Sequence, residues 1–446
     1  MEKQPNVSDL IIIGAGPGGY ETAEIAAKQG RKVVLIERDE LGGTCLNRGC
    51  IPTKALCRSA EVARTVAEAV KYGCSTSSFT FDFAKAVERK EEVVRQLRDG
   101  VAILLRDVNV VKGEARILGA GKVSVGEEVY TAPQIIIATG SRPAVLPIPG
   151  TELAINSDFA LDMRSLPESI AIIGGGVIGL EFASIFNSFG VDVTVLEYCP
   201  EILPPFDAEI AKRLRMTMKR QGVEIVTGAQ VTAIAEYGES LRVSYTAKGK
   251  EKAVEASTVL MAVGRKAVLP EGTEEAGIRT VRGFIEVNDC METSVEGFYA
   301  IGDVNGRCML AHAASAQGRV ALGMEQLLDP IPSAVFTSPE CAMTGLTEAQ
   351  CRDAGLEFSV GTAFFRANGK AVASGESDGL VKVLTERESG RILGCHICGP
   401  HAADLIQIAS VAISGGLSAL KIDGYIFPHP TLSEALRSAI EASIAV

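Results

Sequence analysis

A chain of 446 residues exceeds what one hydrophobic core organises, so about two to four domains are expected. Its apolar content of 47% and charged content of 22% are ordinary globular values, and its net charge of −11 argues against nucleic acid and anionic membrane surfaces as main partners. No apolar run approaches the ~18 residues of a membrane span, the polar opening Met1 to Asp9 carries no secretory apolar region, and eleven scattered cysteines do not form a secreted disulfide framework, so a cytoplasmic protein with mostly free thiols is expected.

Asp9 to Ile13 is a short apolar run that enters Gly14-Ala15-Gly16-Pro17-Gly18-Gly19. A helical pattern follows from Tyr20 to Gln29, then Gly30, then a second apolar run from Lys32 to Ile36 that closes on Glu37. Strand, glycine turn, helix, strand and acid in this order form a dinucleotide-binding unit. Gly14 makes the turn, Gly16 lets backbone approach a pyrophosphate at the helix N-terminus, and Gly19 lets the helix pack on the strand. Glu37 is expected to accept hydrogen bonds from a ribose.

Next comes Gly42-Gly43-Thr44-Cys45-Leu46-Asn47-Arg48-Gly49-Cys50-Ile51-Pro52-Thr53-Lys54. An i,i+5 pair in an ideal α-helix lies roughly 8–9 Å apart, beyond the upper limit of about 6.8 Å between the Cα atoms of a disulfide. A bond between Cys45 and Cys50 therefore requires the backbone to leave the helix, and Gly49 offers that freedom. Pro52 suits the first turn of a following helix, Lys54 to Val70. That helix's N-terminus, Lys54 and Arg48 would each bias a nearby sulfur towards thiolate. Spacing alone leaves two readings open, a redox-active dithiol and two ordinary buried cysteines.

Phe81 to Arg106 reads as an amphipathic helix with Lys85, Glu88, Glu92, Arg95 and Asp99 on a solvated face. Val108 to Tyr130 reads as hairpin strands with turns at Gly113 and Gly119-Ala120-Gly121, and Gln134 to Ala138 as a buried strand leading to Gly140. Then the first unit recurs. Ile170 to Ile173 enters Gly174-Gly175-Gly176-Val177-Ile178-Gly179, a helix runs to Phe189, and Val193 to Leu196 closes on Glu197. Gly14, Gly16, Gly19, Gly30 and Glu37 each have a counterpart 160 residues on. Such an in-register repeat implies two dinucleotide sites on one chain. A carboxylate at Glu197 welcomes a 2′-hydroxyl and repels a 2′-phosphate, so the second site is expected to prefer NAD to NADP. Thr258 to Val263, ending at Gly264, mirrors the strand before Gly140.

Gly297 to Asp303 is again strand then Gly-Asp, readable as a plain turn or as an aspartate for a cofactor hydroxyl. Pro330 to Pro339 is a linker candidate. Beyond it, antiparallel-type strands (Ser359 to Arg366, Gly379 to Leu384, Arg391 to Ile397) are separated by turns at Asn368-Gly369 and Glu388-Ser389-Gly390. Helices are expected over Ala402 to Ser414 and Leu432 to Ser443. Cys395, His396, Cys398 and His401 do not form a metal site, because Cys395 and Cys398 fall on opposite faces of a strand. His429 stands between two prolines with Glu434 near enough to accept a hydrogen bond from its ring. A catalytic base and a turn histidine are both open readings.

Two dinucleotide units, the glycine-flanked cysteine segment Gly42 to Lys54, Ala300-Ile301-Gly302-Asp303 and His429-Pro430-Thr431-Leu432-Ser433-Glu434 together resemble the flavoprotein disulfide reductases over nearly the whole chain. The resemblance implies an α/β fold of two Rossmann-like dinucleotide-binding domains plus a C-terminal α+β interface (dimerisation) domain. The expected division is 1–149 for FAD, 150–264 for NAD, 265–332 as a central segment completing the FAD site, and 333–446 for dimerisation. It implies FAD at Gly14, Gly16, Gly19, Glu37, Gly43, Thr44, Lys54, Gly140, Asp303 and Ala311, and NAD at Gly174, Gly176, Gly179, Glu197 and Gly264. It further implies a Cys45–Cys50 redox disulfide with Cys45 exchanging and Cys50 facing the flavin, and a Lys54–Glu181 ion pair. His429 and Glu434 are the implied base dyad, reaching the disulfide of the partner subunit in a homodimer. Within the family the pattern is most similar to members that oxidise dihydrolipoyl groups with NAD. Lipoyl-bearing proteins, with acyltransferase or glycine-cleavage subunits, are then the expected partners. Reduction of another low-molecular-weight disulfide, or a docking role in such an assembly, is the alternative. Phe427 and Pro428 depart from the family pattern, which often has a histidine two residues before the base and a small residue after it.

Overall fold

The computed structural model describes residues 6–75, 78–119 and 121–444; Ala120 of the expected second turn lies outside them. The chain divides into two compact units, 1–56 with 84–144 and 265–328, and 57–83 with 145–264 and 329–446.

The first unit is built on a five-stranded parallel sheet. Its strand order is Phe298–Ala300, Gln134–Ile137, Leu10–Ile13, Val33–Glu37 and Asn109–Lys112. Leu10 to Ile13 is apolar at every position because both faces of the sheet are covered. Ile11 and Ile13 pack with Ile135, Ile137 and Phe298 on one side, while Leu10 and Ile12 pack with Ala23, Leu35 and Val101 on the other. Helix Pro17–Lys28 leaves the glycine turn and returns to Val33–Glu37, and helix Phe83–Leu104 supplies Val101. Gly19 packs so tightly that a Cβ there would stand 1.9 Å from the Gly14 carbonyl oxygen. Gln134–Ile137 is hydrogen-bonded on its far side to Phe298–Ala300, so the segment ending at Asp303 completes this sheet from about 160 residues away in sequence.

The second unit repeats the plan. Its parallel order is Glu224–Thr227, Asp192–Glu197, Ser169–Ile173 and Thr258–Met261, with helix Val177–Ser188 after the glycine turn. The two glycine helices start and end 160 residues apart, as the sequence repeat requires. In each unit three antiparallel strands precede the strand that leads out of the module: Ala115–Gly119, Lys122–Val125 and Glu128–Thr131 in the first, and Ala229–Tyr237, Ser240–Ala247 and Lys250–Ala256 in the second.

The second unit also holds a five-stranded antiparallel sheet ordered Ser333–Val335, Glu340–Gly345, Ile392–Gly399, Leu380–Glu386 and Phe358–Phe364. Ala342, Val381, Val383, Cys395 and Ile397 face a core shared with helices Ala402–Ser414 and Ser433–Ile444. Cys398 lies on the other face, paired in register with Cys341, which agrees with the period-2 argument against a Cys395–Cys398 chelate. One expectation is corrected: Asn368-Gly369 is not a hairpin turn. Asn368 caps helix Gly369–Ser374, its Oδ1 accepting from Ala371 N at 3.0 Å, because Asn competes for backbone donors at a helix start.

Also on the face opposite the helices is a buried ion pair that the sequence does not announce. Lys382, opposite His396 in register, donates from Nζ to Asp207 at 3.0 Å, and Glu348 accepts a further bond at 2.5 Å. The Lys382 and Asp207 side chains are 3% and 2% exposed. Burial alone would raise the Asp207 carboxyl, but His396 and Lys382 outweigh it and hold it below its ordinary value. Lys382→Met strands Asp207 without its cation and is expected to cost about 3–5 kcal/mol, measured as a drop in the urea unfolding midpoint. The depressed carboxyl contributes stability above the ordinary aspartate range and loses it as pH falls through its folded value. The wild-type advantage over Lys382→Met should therefore be present at neutral pH and shrink in strong acid; an equal midpoint at neutral pH would contradict this.

Candidate active site

In the first unit the cysteine segment folds as two helices, Gly43–Arg48 and Cys50–Ala67, broken at Gly49. Gly49 adopts φ −145°, ψ −114°, so the chain leaves the helix between the two cysteines, as a close pair requires. The following helix starts at Cys50, four residues earlier than the sequence suggests, with Pro52 in its first turn. Asn47 braces the segment, donating from Nδ2 to the carbonyls of Leu41 at 3.0 Å and Gly43 at 2.9 Å.

Cys45 is half-buried and Cys50 exposed, and their thiols hydrogen-bond to each other. That bond first, and burial second, push the Cys45 thiol up, while Lys54 pulls it down. The expected thiolate bias is thus corrected for Cys45: a thiol that shares its proton with a neighbouring sulfur resists ionising alone. Cys50 is the sulfur at the helix N-terminus, where a negative charge is favoured. Arg48, the other cation read from the sequence, pairs with Asp39.

This segment is seated directly on the first glycine turn. Gly42 N donates to Ala15 O at 2.8 Å, and a Cβ on Gly43 would stand 2.6 Å from the Gly16 Cα. Gly43 has φ +58° and Gly42 φ +93°, so the approach needs glycine twice over. Gly16, by contrast, has nothing within 4 Å of where its Cβ would point. A free cradle at the N-terminus of helix Pro17–Lys28 fits a pyrophosphate. A cleft beside it is lined by Ile13, Gly14, Glu37, Gly113, Thr139 and Val268.

Glu37 makes contacts within the chain that the sequence does not indicate. Its carboxylate accepts from Ala15 N at 2.7 Å and from Asp39 N at 2.7 Å, so it ties the glycine turn to the end of the second strand. Glu197 does the same in the second unit, accepting from Gly175 N at 2.5 Å and Cys199 N at 2.6 Å. There a Cβ on Gly179 would lie 2.0 Å from Gly174 O, while Gly176 is open, which fits a second dinucleotide. These contrasts predict different failures at neighbouring glycines. Gly19→Ala should prevent helix and strand from packing and yield little folded protein. Gly16→Ala should keep the fold and its melting temperature without cofactor but retain far less flavin, read as the ratio of absorbance at the flavin band to that of the protein. Equal flavin content in Gly16→Ala and wild type would overturn the cradle.

Asp303 follows strand Phe298–Ala300 in a short 3-10 turn. Ser141 Oγ hydrogen-bonds its carboxylate, and Arg265 holds Ser141 through Nε to Oγ at 2.7 Å and Nη2 to its carbonyl at 2.8 Å. Ser141 and Arg265 directly follow Gly140 and Gly264 in the sequence. Their partnership arises because strands Ser141–Pro143 and Arg265–Ala267 pair across the sheet exits. Ala311 begins helix Ala311–Ala321, whose Gln317 accepts from Gly302 N at 2.8 Å and so steadies the Asp303 turn. Thr44 lies within helix Gly43–Arg48, and Lys54 in the first turns of the next helix.

In the second unit Glu181 is 4% exposed on helix Val177–Ser188 and accepts from Phe336 N at 3.0 Å. His429 stands at the C-terminal end of the same unit. Its Nδ1 lies 2.9 Å from Glu434 Oε1, and Glu434 Oε2 accepts from Thr431 N at 2.8 Å. The Thr431 amide first, and His429 second, hold the Glu434 carboxyl below the usual carboxylate range. A carboxylate on Nδ1 leaves Nε2 as the ring's proton-accepting nitrogen. The His429–Glu434 hydrogen bond is thus formed within one chain.

Residues 8–318 match the pyridine nucleotide-disulphide oxidoreductases, and 331–440 match the dimerisation domain of the same family. The chain belongs to the pyridine nucleotide-disulphide oxidoreductase family. Among its relatives it is 41% identical to a dihydrolipoyl dehydrogenase of Bacillus subtilis, over 98% of each chain. It is 39% identical to the dihydrolipoyl dehydrogenase of Geobacillus stearothermophilus, over 98% of this chain and 96% of that one. Among solved structures, the HOCl-induced flavoprotein disulfide reductase RclA from Escherichia coli superposes with a TM-score of 0.87 at 29% identity, covering 97% of this chain and 99% of that one.

Proposed function

We propose that this chain is an FAD- and NAD-dependent enzyme that oxidises dihydrolipoyl groups to the lipoyl disulfide. The observation that carries the reading is the seating of the Cys45/Cys50 segment on the first glycine turn, through Gly42 and Gly43. It places a thiol pair beside a cradle built for a dinucleotide. Gly14, Gly16, Gly19, Glu37, Gly43, Thr44, Lys54, Gly140, Asp303 and Ala311 would hold FAD. Gly174, Gly176, Gly179, Glu197 and Gly264 would hold NAD. When bound, these cofactors supply a two-electron acceptor beside the dithiol and a soluble carrier for the electrons.

The chain's own residues perform the thiol chemistry. His429, oriented through Nδ1 by Glu434, takes the proton of one substrate thiol at Nε2. The substrate thiolate attacks Cys45 of a Cys45–Cys50 disulfide, and Cys50 leaves as a thiolate at its helix N-terminus. The second substrate thiol then attacks the mixed disulfide while its proton passes to the departing Cys45 sulfur, releasing Cys45 as a thiol and the oxidised lipoyl ring. Two electrons and two protons have then passed from substrate to protein. Lys54, with Glu181 as its proposed counter-ion, steadies negative charge near the pair.

We place the enzyme in the cytoplasm as a homodimer, each His429 serving the partner's cysteines. Among the described residues no helix is long and apolar enough to cross a membrane, and all eleven cysteines are free thiols. Val411, Leu420 and Ile426 are apolar side chains 58%, 70% and 98% exposed in the single chain, which self-association could cover. The domain division at 149, 264 and 332 and service to lipoyl-bearing acyltransferase or glycine-cleavage assemblies belong to the same proposal. The likeness to RclA favours one second reading, reduction of a different disulfide. Anaerobic titration with dihydrolipoamide should yield close to one NADH per dithiol. Faster steady-state turnover with glutathione disulfide and NADPH than with lipoamide and NADH would reject the dihydrolipoyl assignment.

A further inference from the structure

Asn368, read from the sequence as a turn residue, reaches the base loop. It is 8% exposed, and its two amide atoms face different ways. Oδ1 caps helix Gly369–Ser374 through Ala371 N at 3.0 Å, and Nδ2 donates to Thr431 O at 2.9 Å. Thr431 in turn gives its amide to Glu434 Oε2 at 2.8 Å, and Glu434 Oε1 lies 2.9 Å from His429 Nδ1. The Thr431 hydroxyl closes the loop by donating to Pro428 O at 2.8 Å, and Phe427 packs against the C-terminal core. The His429 side chain itself is 78% exposed in its own chain, so packing within the chain does not hold the ring. Hydrogen bonds must do so, and they lead inward from the imidazole to one buried amide.

We propose that Asn368 is a positioning residue for the base: it fixes the Thr431 peptide, which aims the Glu434 carboxylate, which orients His429. The inference rests on the reading of His429 as the thiol base. It assigns a function to a residue 61 positions upstream, on a different element, that reaches His429 through Thr431 and Glu434. Arg437, paired with Asp423 at 3.3 Å, is the other charge acting on Glu434 and is untouched by Asn368.

Two substitutions separate this role from helix capping. Asn368→Asp and Asn368→Ser both keep a side-chain oxygen able to cap the helix. Asp presents an acceptor to the Thr431 carbonyl, and Ser is too short to reach it, so both lose the inward bond. In the holoenzyme, kcat for dihydrolipoamide should fall about tenfold, a part of the roughly 10²–10⁴ that a positioned base contributes, with KM changed far less. NADH oxidation by ferricyanide, which needs no thiol base, should fall by much less. An unchanged rate in both variants, or parallel losses in both reactions, would overturn the proposal. His429→Ala run beside them separates the two layers. If it too leaves dithiol oxidation intact, the base assignment fails; if it abolishes oxidation while both Asn368 variants behave as wild type, only the role of Asn368 fails.

Discussion

Serine at position 45 or at position 50 should abolish dihydrolipoamide oxidation, by roughly four orders of magnitude or more, the scale on which loss of a covalent nucleophile acts. A hydroxyl neither exchanges with a disulfide nor leaves from one, so a single change removes the reaction rather than slowing it. Folding should survive, because neither cysteine is in the core: Cys45 is half-buried and Cys50 exposed. NADH oxidation by ferricyanide should therefore persist in both variants, and retention of more than about a hundredth of the dithiol rate in either would refute the covalent role.

Removal of the imidazole in His429→Ala should lower dithiol oxidation by about 10²–10⁴, with little loss of the ferricyanide reaction. Equal losses in both would remove its role as base. Glu434→Gln should have a smaller effect of the same kind, because glutamine can still accept from Thr431 but carries no charge to favour the protonated ring. The direction of the Glu434 shift bears on the pH profile. Its carboxyl is held below the usual range, so it stays ionised as pH falls from neutrality through the mildly acidic region. Activity lost there is not lost through Glu434, and that loss should persist in Glu434→Gln.

Most of the architecture was readable from local sequence. The glycine turns, the acids that close the second strands and the 160-residue repeat are short-range patterns whose geometry is set by backbone sterics, and they appear where expected. Helix Ala402–Ser414 was legible for the same reason, since its apolar period faces one core. The functional pairings were less legible. Glu37 and Glu197 were read as ribose ligands, yet each also ties its own glycine turn through two backbone amides, a role no spacing rule encodes. Ser141 and Arg265 stood beside recognisable glycines but gave no sign that they flank Asp303. Asn368 looked like a turn residue because Asn-Gly is a strong local turn signal, and tertiary context overrode it.

The division follows from the range of the forces involved. Sterics, propensity and apolar periodicity act within a few residues, so the chain alone specified two dinucleotide modules, a glycine-broken segment between two cysteines and a histidine followed by an acid. Hydrogen-bond partners that are distant in sequence depend on how strands register. Only the folded chain decided that the thiol segment rests on the first glycine turn, that the Cys45 thiol meets Cys50 within hydrogen-bonding reach, and that a buried amide 61 residues upstream holds the loop of the base.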